Sequence, residues 1–196
     1  MALLRVTDQE LVERVLQGKA EAFNHLVSRW EKKLYNYACR LTGDREEAMD
    51  ICQDAFTRAY EQLSQLKDPG KFSFWLFKIA RNFCFSRYRS GKTQVPLQRE
   101  KEGEDAIDLE NLLSQDHGLR LDSGRTFELQ EMQLMVRGAL DFLPFEQRET
   151  IVLKIYEGLK FSEIAELAEC PVSTVKSRLY LGMAQLKKIL TEKGQG

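Results

Sequence analysis

The residues of this chain best equipped for chemistry are donors and flat rings rather than nucleophiles or metal ligands. Between Phe161 and Leu179, Ile164, Ala165 and Ala168 give a first short helix an apolar face, and Cys170 and Val172 fill a turn. Val175 and Leu179 then seat a second helix. Ser173 is expected to cap that helix, with Pro171 holding the preceding chain extended. Thr174, Lys176, Ser177 and Arg178 are left facing out, and donor side chains on the first turns of such a helix are suited to the edges of bases in a major groove. A second set lies between Phe72 and Arg89: with Leu76, Ile79, Ala80 and Phe83 turned inward, Trp75, Lys78, Asn82, Phe85 and Arg89 fall along one line, with Arg81 beside it. Rings interleaved with cations and an amide offer unstacked bases a π face, a hydrogen-bonding edge and charge for their phosphates. A third set, Asp50, Gln53, Asp54, Phe56, Arg58 and Tyr60, lies away from the apolar residues of its helix and pairs aromatics with carboxylates, as a protein partner would require. Each set also has a plainer reading: a helical hairpin with a solvated basic face, and aromatics at Phe56, Tyr60, Phe72 and Trp75 that pack as core.

The elements that must position these residues all read as helix. Thr7 and Glu10 form a capping box ahead of Leu11, Val12, Val15 and Leu16, and apolar residues from Phe23 to Leu41 recur at helical spacing until Gly43. Asp44 and Glu47 open a helix to about Gln65 that buries Ala48, Ile51, Cys52, Ala55, Ala59 and Leu63. Asp68-Pro69-Gly70 breaks the chain before a helix from about Phe72 to Arg89. Later helices are expected from Phe127 to Phe142 and from Pro144 to Glu157, the latter stopped by Gly158, ahead of the helix-turn-helix pair. The net charge of -1 over 196 residues conceals segregation. From Lys67 to Lys92 seven bases face one acid, whereas from Thr93 to Glu128 acids outnumber bases and large apolar residues are few. The fold class that follows is all-α, with two small helical domains, residues 1–92 and 127–196, joined by an acidic flexible linker over 93–126. Cys39, Cys52, Cys84 and Cys170 are widely spaced, and His25 and His117 stand alone, so neither a zinc site nor a disulfide framework is suggested. No catalytic group, metal or cofactor is expected, and without a long apolar run no membrane insertion is expected either. The expected location is the cytoplasm, and the cysteines read as small core residues of a reducing compartment.

The wording DICQDAFTRAYEQL, FSFWLFKIARNFCFSRYR, LPFEQRETIVLKIYEGLKFSEIAEL and CPVSTVKSRL resembles the extracytoplasmic-function sigma factors of the sigma-70 family, in the right order over nearly all of the chain outside the linker. The resemblance implies a dissociable promoter-specificity subunit of bacterial RNA polymerase. Its first domain would bind the clamp helices of the largest subunit and open the minus-ten element. Its second would bind the minus-thirty-five element as duplex, alongside the flap of the second-largest subunit. Carried over by position, Asp50, Gln53, Asp54, Phe56 and Tyr60 would contact core polymerase. Lys71, Ser73, Trp75, Lys78, Arg81 and Asn82 would serve the single-stranded minus-ten element, with the loop from Lys67 to Ser73 holding a flipped base. Arg148, Ser173, Thr174, Lys176, Ser177, Arg178 and Tyr180 would serve the minus-thirty-five site, Arg148 touching DNA backbone. The chain departs from the pattern at Leu181-Gly182-Met183, where many relatives carry an Arg-x-Arg run. The family also implies control by an anti-sigma factor.

The competing class is a stand-alone regulator with a terminal helix-turn-helix and a helical sensor or dimerisation domain. It leaves the aromatic and basic line from Trp75 to Arg89 without a purpose.

Overall fold

A computed structural model describes residues 6–90 and 135–193. All regular elements among them are helical, and no described helix is long and apolar enough to cross a membrane. The expected linker over 93–126, and the part of the expected helix before residue 135, lie outside the described residues.

Helix α1 (Asp8–Leu16) begins at the capping box expected of Thr7 and Glu10. Leu11 and Val12 are buried, but Leu16 faces outward. Helix α2 (Ala22–Thr42) ends at Gly43, whose φ of 77° is left-handed. A side chain there is disfavoured by that backbone conformation, and an added β-carbon would stand 2.8 Å from Asp141 Oδ1, the movable end of a half-exposed side chain. Helix α3 (Arg45–Glu61) starts where Asp44 Oδ1 accepts the amides of Glu46 and Glu47 at 2.7 and 2.9 Å. It stops at Glu61, and Leu63–Gln65 completes the expected span as a 3₁₀ turn. The expected loop from Lys67 to Ser73 is largely helical instead: Asp68 caps a 3₁₀ turn over Pro69–Lys71, and α4 (Phe72–Ser90) follows directly, with Ser73 inside its first turn. Phe72 is the physical reason, since its ring is fully buried and draws the helix start inward.

In the second half, residues 135–140 are helical and 141–142 form a turn, two residues before the expected end at Phe142. Helix α5 (Phe145–Ile151) runs into a π-helical turn over Val152–Tyr156, and Gly158, with φ 68°, ends it. Helices α6 (Phe161–Ala168) and α7 (Val172–Lys193) form the hairpin. Between them Glu169 adopts φ 53° and its amide donates to the Ala165 carbonyl, closing α6. The Pro171 carbonyl accepts the Val175 amide, so α7 begins at Val172. Ser173 is therefore inside the first turn and not the expected cap: Pro171, with no N–H to satisfy, stands at that boundary.

The two halves are packed together. Phe145, Val152, Leu153, Ile164, Leu167 and Val175 belong to the same buried cluster as Leu34, Tyr37, Leu76, Phe77 and Cys84. A smaller cluster, including Leu140, Leu143, Ile151 and Leu179, lies within the second half. The Phe145 ring is fully buried against Phe85 and Tyr88, each 5.3 Å away between centroids. Burying a ring of this size contributes about 1.5 to 3 kcal/mol, and its contacts with Phe85 and Tyr88 supply part of that gain.

Candidate nucleic-acid interface

Helix α4 buries Phe72, Leu76, Phe77, Ala80 and Cys84, which settles its orientation. Phe77 takes an inward place the sequence had given to Ile79 and Phe83, which are half-buried; its ring packs edge-on to Tyr37 at 5.1 Å and Trp30 at 6.3 Å. The opposite face carries exposed Asn82 and Arg89 and half-buried Trp75, Lys78 and Phe85. Trp75 is tilted against Phe72 at 6.4 Å, so one side of the indole is held by core. Further along, Asn82, Phe85, Ser86, Arg89 and Ser90 line a shallow hollow of about 520 Å³, with the Arg89 guanidinium 5.8 Å from the Phe85 ring centroid. Lys71 is exposed and Ser73 half-buried at the start of the helix.

Arg81 does not face solvent. Its Nε donates to Glu149 Oε1 at 2.7 Å and a terminal nitrogen donates to Oε2 at 3.3 Å, a two-pronged pair across the halves. The Glu149 side chain is 1% exposed, and the buried Tyr37 hydroxyl donates to the same Oε1 at 3.5 Å. Burial raises the Glu149 carboxyl above its ordinary value, and the Arg81 charge only partly offsets this. For Arg81 burial is the largest influence and works against the charge, but Glu149, with Tyr37 and Glu169, turns the net direction upward. Lys78 is paired too: its Nζ lies 2.8 Å from Glu169 Oε1, and that hydrogen bond lowers the exposed Glu169 carboxyl.

On α3, Asp50, Gln53 and Asp54 are exposed, and Tyr60 is 47% exposed with its ring edge-on to Phe23 at 5.0 Å. Phe56 corrects the expectation of an outward aromatic pair. It is 9% exposed, because Phe23 of α2 offers its ring edge at 6.5 Å and draws Phe56 into the core.

In the second half Val175 and Leu179 are buried as expected, with Ile164 and Leu167 facing them from α6. Ser173, Lys176, Ser177 and Tyr180 are exposed along α7; Thr174 and Arg178 are half-buried. An Arg178 terminal nitrogen donates to Cys170 Sγ at 3.5 Å, and Lys176 Nζ lies 5.8 Å from the Phe161 ring centroid. Arg148, expected to touch DNA backbone, is 5% exposed. It donates at 2.8 Å to the carbonyls of Leu41 and Asp141, so its charge is spent on backbone oxygens that the packing of the halves would otherwise strand. At the departure Leu181-Gly182-Met183, Leu181 is 55% exposed and only the middle position is shown to be crowded. Gly182 lies against α5, where a β-carbon would come 3.0 Å from Ile151 Cδ1 and 3.2 Å from Gln147 Cβ.

Sequence reasoning missed Tyr37, Glu149 and Glu169 as members of the network around Arg81 and Lys78. An acid in a helix reads locally as solvated, and only the pairing of Arg81 with a residue far along the chain gives Glu149 its meaning. Of the cysteines, Cys39 and Cys84 are buried and Cys52 and Cys170 half-buried, all as free thiols, and burial pushes Cys52 up to about 12.

Comparison with known proteins places this arrangement in a family. Residues 26–93 match Sigma-70 region 2 and residues 133–186 match Sigma-70, region 4. The chain is 32% identical over 190 residues to the RNA polymerase sigma-H factor of Pseudomonas aeruginosa, covering 96% of each chain. It is 33% identical over 181 residues to the ECF RNA polymerase sigma factor SigW of Bacillus subtilis, covering 92% of this chain and 95% of the relative. The fold is similar to that of CnrH, solved in complex with the cytosolic domain of CnrY, with a TM-score of 0.64 and 24% identity over 94% of this chain and 97% of that one. The sequence motifs, the all-helical fold and these matches agree, and the chain belongs to the extracytoplasmic-function sigma factors of the sigma-70 family of RNA polymerase sigma factors.

Proposed function

We propose that the two halves divide promoter recognition between them, and that the chain works in the cytoplasm as a binding subunit with no catalytic centre of its own. The observation that carries the reading is the α4 face, where Trp75, Lys78, Asn82, Phe85 and Arg89 form one line in the same chain as the α6–α7 hairpin. Residues 1–92 take the minus-ten strand through Trp75, Lys78, Arg81 and Asn82, assisted by Lys71 and Ser73. Asp50, Gln53, Asp54 and Tyr60 face the clamp helices of the largest polymerase subunit. Residues 127–196 take the minus-thirty-five duplex through Ser173, Thr174, Lys176, Ser177, Arg178 and Tyr180 and engage the flap of the second-largest subunit, with 93–126 as the connection. A sigma factor of similar fold, RpoE of Bartonella quintana, was solved in complex with the anti-sigma factor NepR, and we assign an anti-sigma partner to this chain as well.

The free protein is expected to bind duplex DNA weakly, because few cations on α7 release counterions, and core polymerase supplies the remaining affinity. Gel filtration with core polymerase, followed by promoter mobility shifts with and without core at one salt concentration, tests this. Co-elution with core and core-dependent shifts are expected. Nanomolar specific binding by the free protein without co-elution would instead identify the stand-alone regulator.

A further inference from the structure

Part of the surface assigned to the unpaired strand is already occupied by the chain itself. Arg81, a base meant for a phosphate, holds both oxygens of Glu149 at 2.7 and 3.3 Å. Lys78, one turn earlier, holds Glu169 at 2.8 Å. One turn before Glu149, Phe145 supplies a flat ring to Phe85 and Tyr88 at 5.3 Å each. Two carboxylates on two cations and a ring against two rings reproduce the groups by which a single strand is held: anionic oxygens on guanidinium and ammonium, and a stacked base. Arg148 is also consumed by the packing, on the Leu41 carbonyl of the first half.

We propose that the second half of this chain docks on α4 as an internal mimic of an unpaired DNA strand, with Glu149 and Glu169 standing for phosphates and Phe145 for a base, so that the docked state excludes the minus-ten strand. This rests on the assignment of α4 to that strand under the proposed function. The competition is direct, because Arg81 cannot present its two-pronged donor set to a phosphate while Glu149 holds it. Undocking is therefore part of the free energy of strand capture, and the apparent affinity of the free protein for single-stranded DNA is reduced by the fraction of molecules that are undocked.

The test uses the full chain and a fluorescein-labelled single strand of about 12 nucleotides, long enough to span one such groove. Glu149→Gln combined with Glu169→Gln weakens both mimic contacts without changing shape. Glu166→Gln combined with Glu192→Gln removes the same charge at exposed positions and serves as the control. Fluorescence anisotropy is expected to show the first double variant binding about tenfold tighter than both wild type and control, as the undocked fraction rises from about a tenth toward one. Amide exchange over residues 72–90 is expected to speed up in the same variant. A folded double variant that binds no tighter than the control overturns the proposal. If circular dichroism shows that variant unfolded, Glu169→Gln alone decides on the same criterion: its side chain is 68% exposed, and a gain of about threefold is expected. Core-dependent initiation by the wild type is measured in parallel. Normal initiation with no gain in any variant removes the mimic and leaves the promoter reading intact, whereas failed initiation and no co-elution with core removes the promoter reading itself.

Discussion

Gly182 and Ile151 approach so closely that a β-carbon on the glycine would lie 3.0 Å from the isoleucine Cδ1, with Gln147 Cβ at 3.2 Å. This contact fixes the distance between α5 and α7. Gly182→Ala sets a helix-propensity gain of about 1 kcal/mol against an overpacking cost of about 1 to 3 kcal/mol, so a net loss of up to about 2 kcal/mol is expected. Gly182→Arg, which would bring a base into the run at 181–183, is expected to lose more because a long chain cannot share that space. Urea titrations of both variants measure it, and a stabilised arginine variant would show that α5 and α7 do not meet here.

The aromatics of α3 should separate by burial. Phe56→Ala empties a site 9% exposed and is expected to cost about 3 to 5 kcal/mol of stability. Tyr60→Ala removes a ring 47% exposed, so it should leave the fold largely intact while weakening core-polymerase binding by about 1 to 3 kcal/mol. Denaturation curves paired with core-binding titrations distinguish them, and equal stability losses in the two variants would contradict the burial described here.

The two proposed DNA surfaces should fail at different steps. Lys176→Ala and Arg178→Ala are expected to reduce promoter recruitment by about 1 to 3 kcal/mol for a residue that reads a base edge. Trp75→Ala and Asn82→Ala should be recruited normally but form fewer open complexes, and a pre-melted minus-ten bubble should restore part of the loss. Permanganate footprinting on matched and bubble templates reads this directly. Normal melting by the Trp75 and Asn82 variants would remove α4 from strand capture.

Acidity should act on Glu149 with a definite sign. Its carboxyl is raised in the folded protein, chiefly by burial with Arg81 opposing, and Arg178 and Glu146 act more weakly in opposite directions. Between the ordinary value and the raised one the folded chain binds a proton that the unfolded chain has released. The contribution is therefore fully present below the ordinary glutamate value and is lost as pH rises through the raised one. The difference in Tm between wild type and Glu149→Gln should fall over that window as pH increases. A difference that grows instead would mean that Arg81 outweighs burial.

Helix starts and stops were largely legible because they are written locally. Thr7 with Glu10, Asp44 and the glycines at 43 and 158 each act on backbone groups within a turn of themselves. The hairpin core at Ile164, Val175 and Leu179 was legible from periodicity, and so was the general direction of the α4 face. Phe56, Arg148 and Glu149 were not, because each takes its place from a partner on another element: Phe23, Leu41 and Arg81. Ser173 misled for a smaller reason, since the proline two residues ahead of it holds the boundary where a hydroxyl was expected.

The Arg81–Glu149 pair joins two parts of one molecule, so the balance between its made and broken forms is unimolecular and independent of how many copies a cell contains. Raising expression multiplies both forms equally. Gene dosage alone then scales output in proportion, and any sharper, threshold-like response has to come from a second molecule that favours one form.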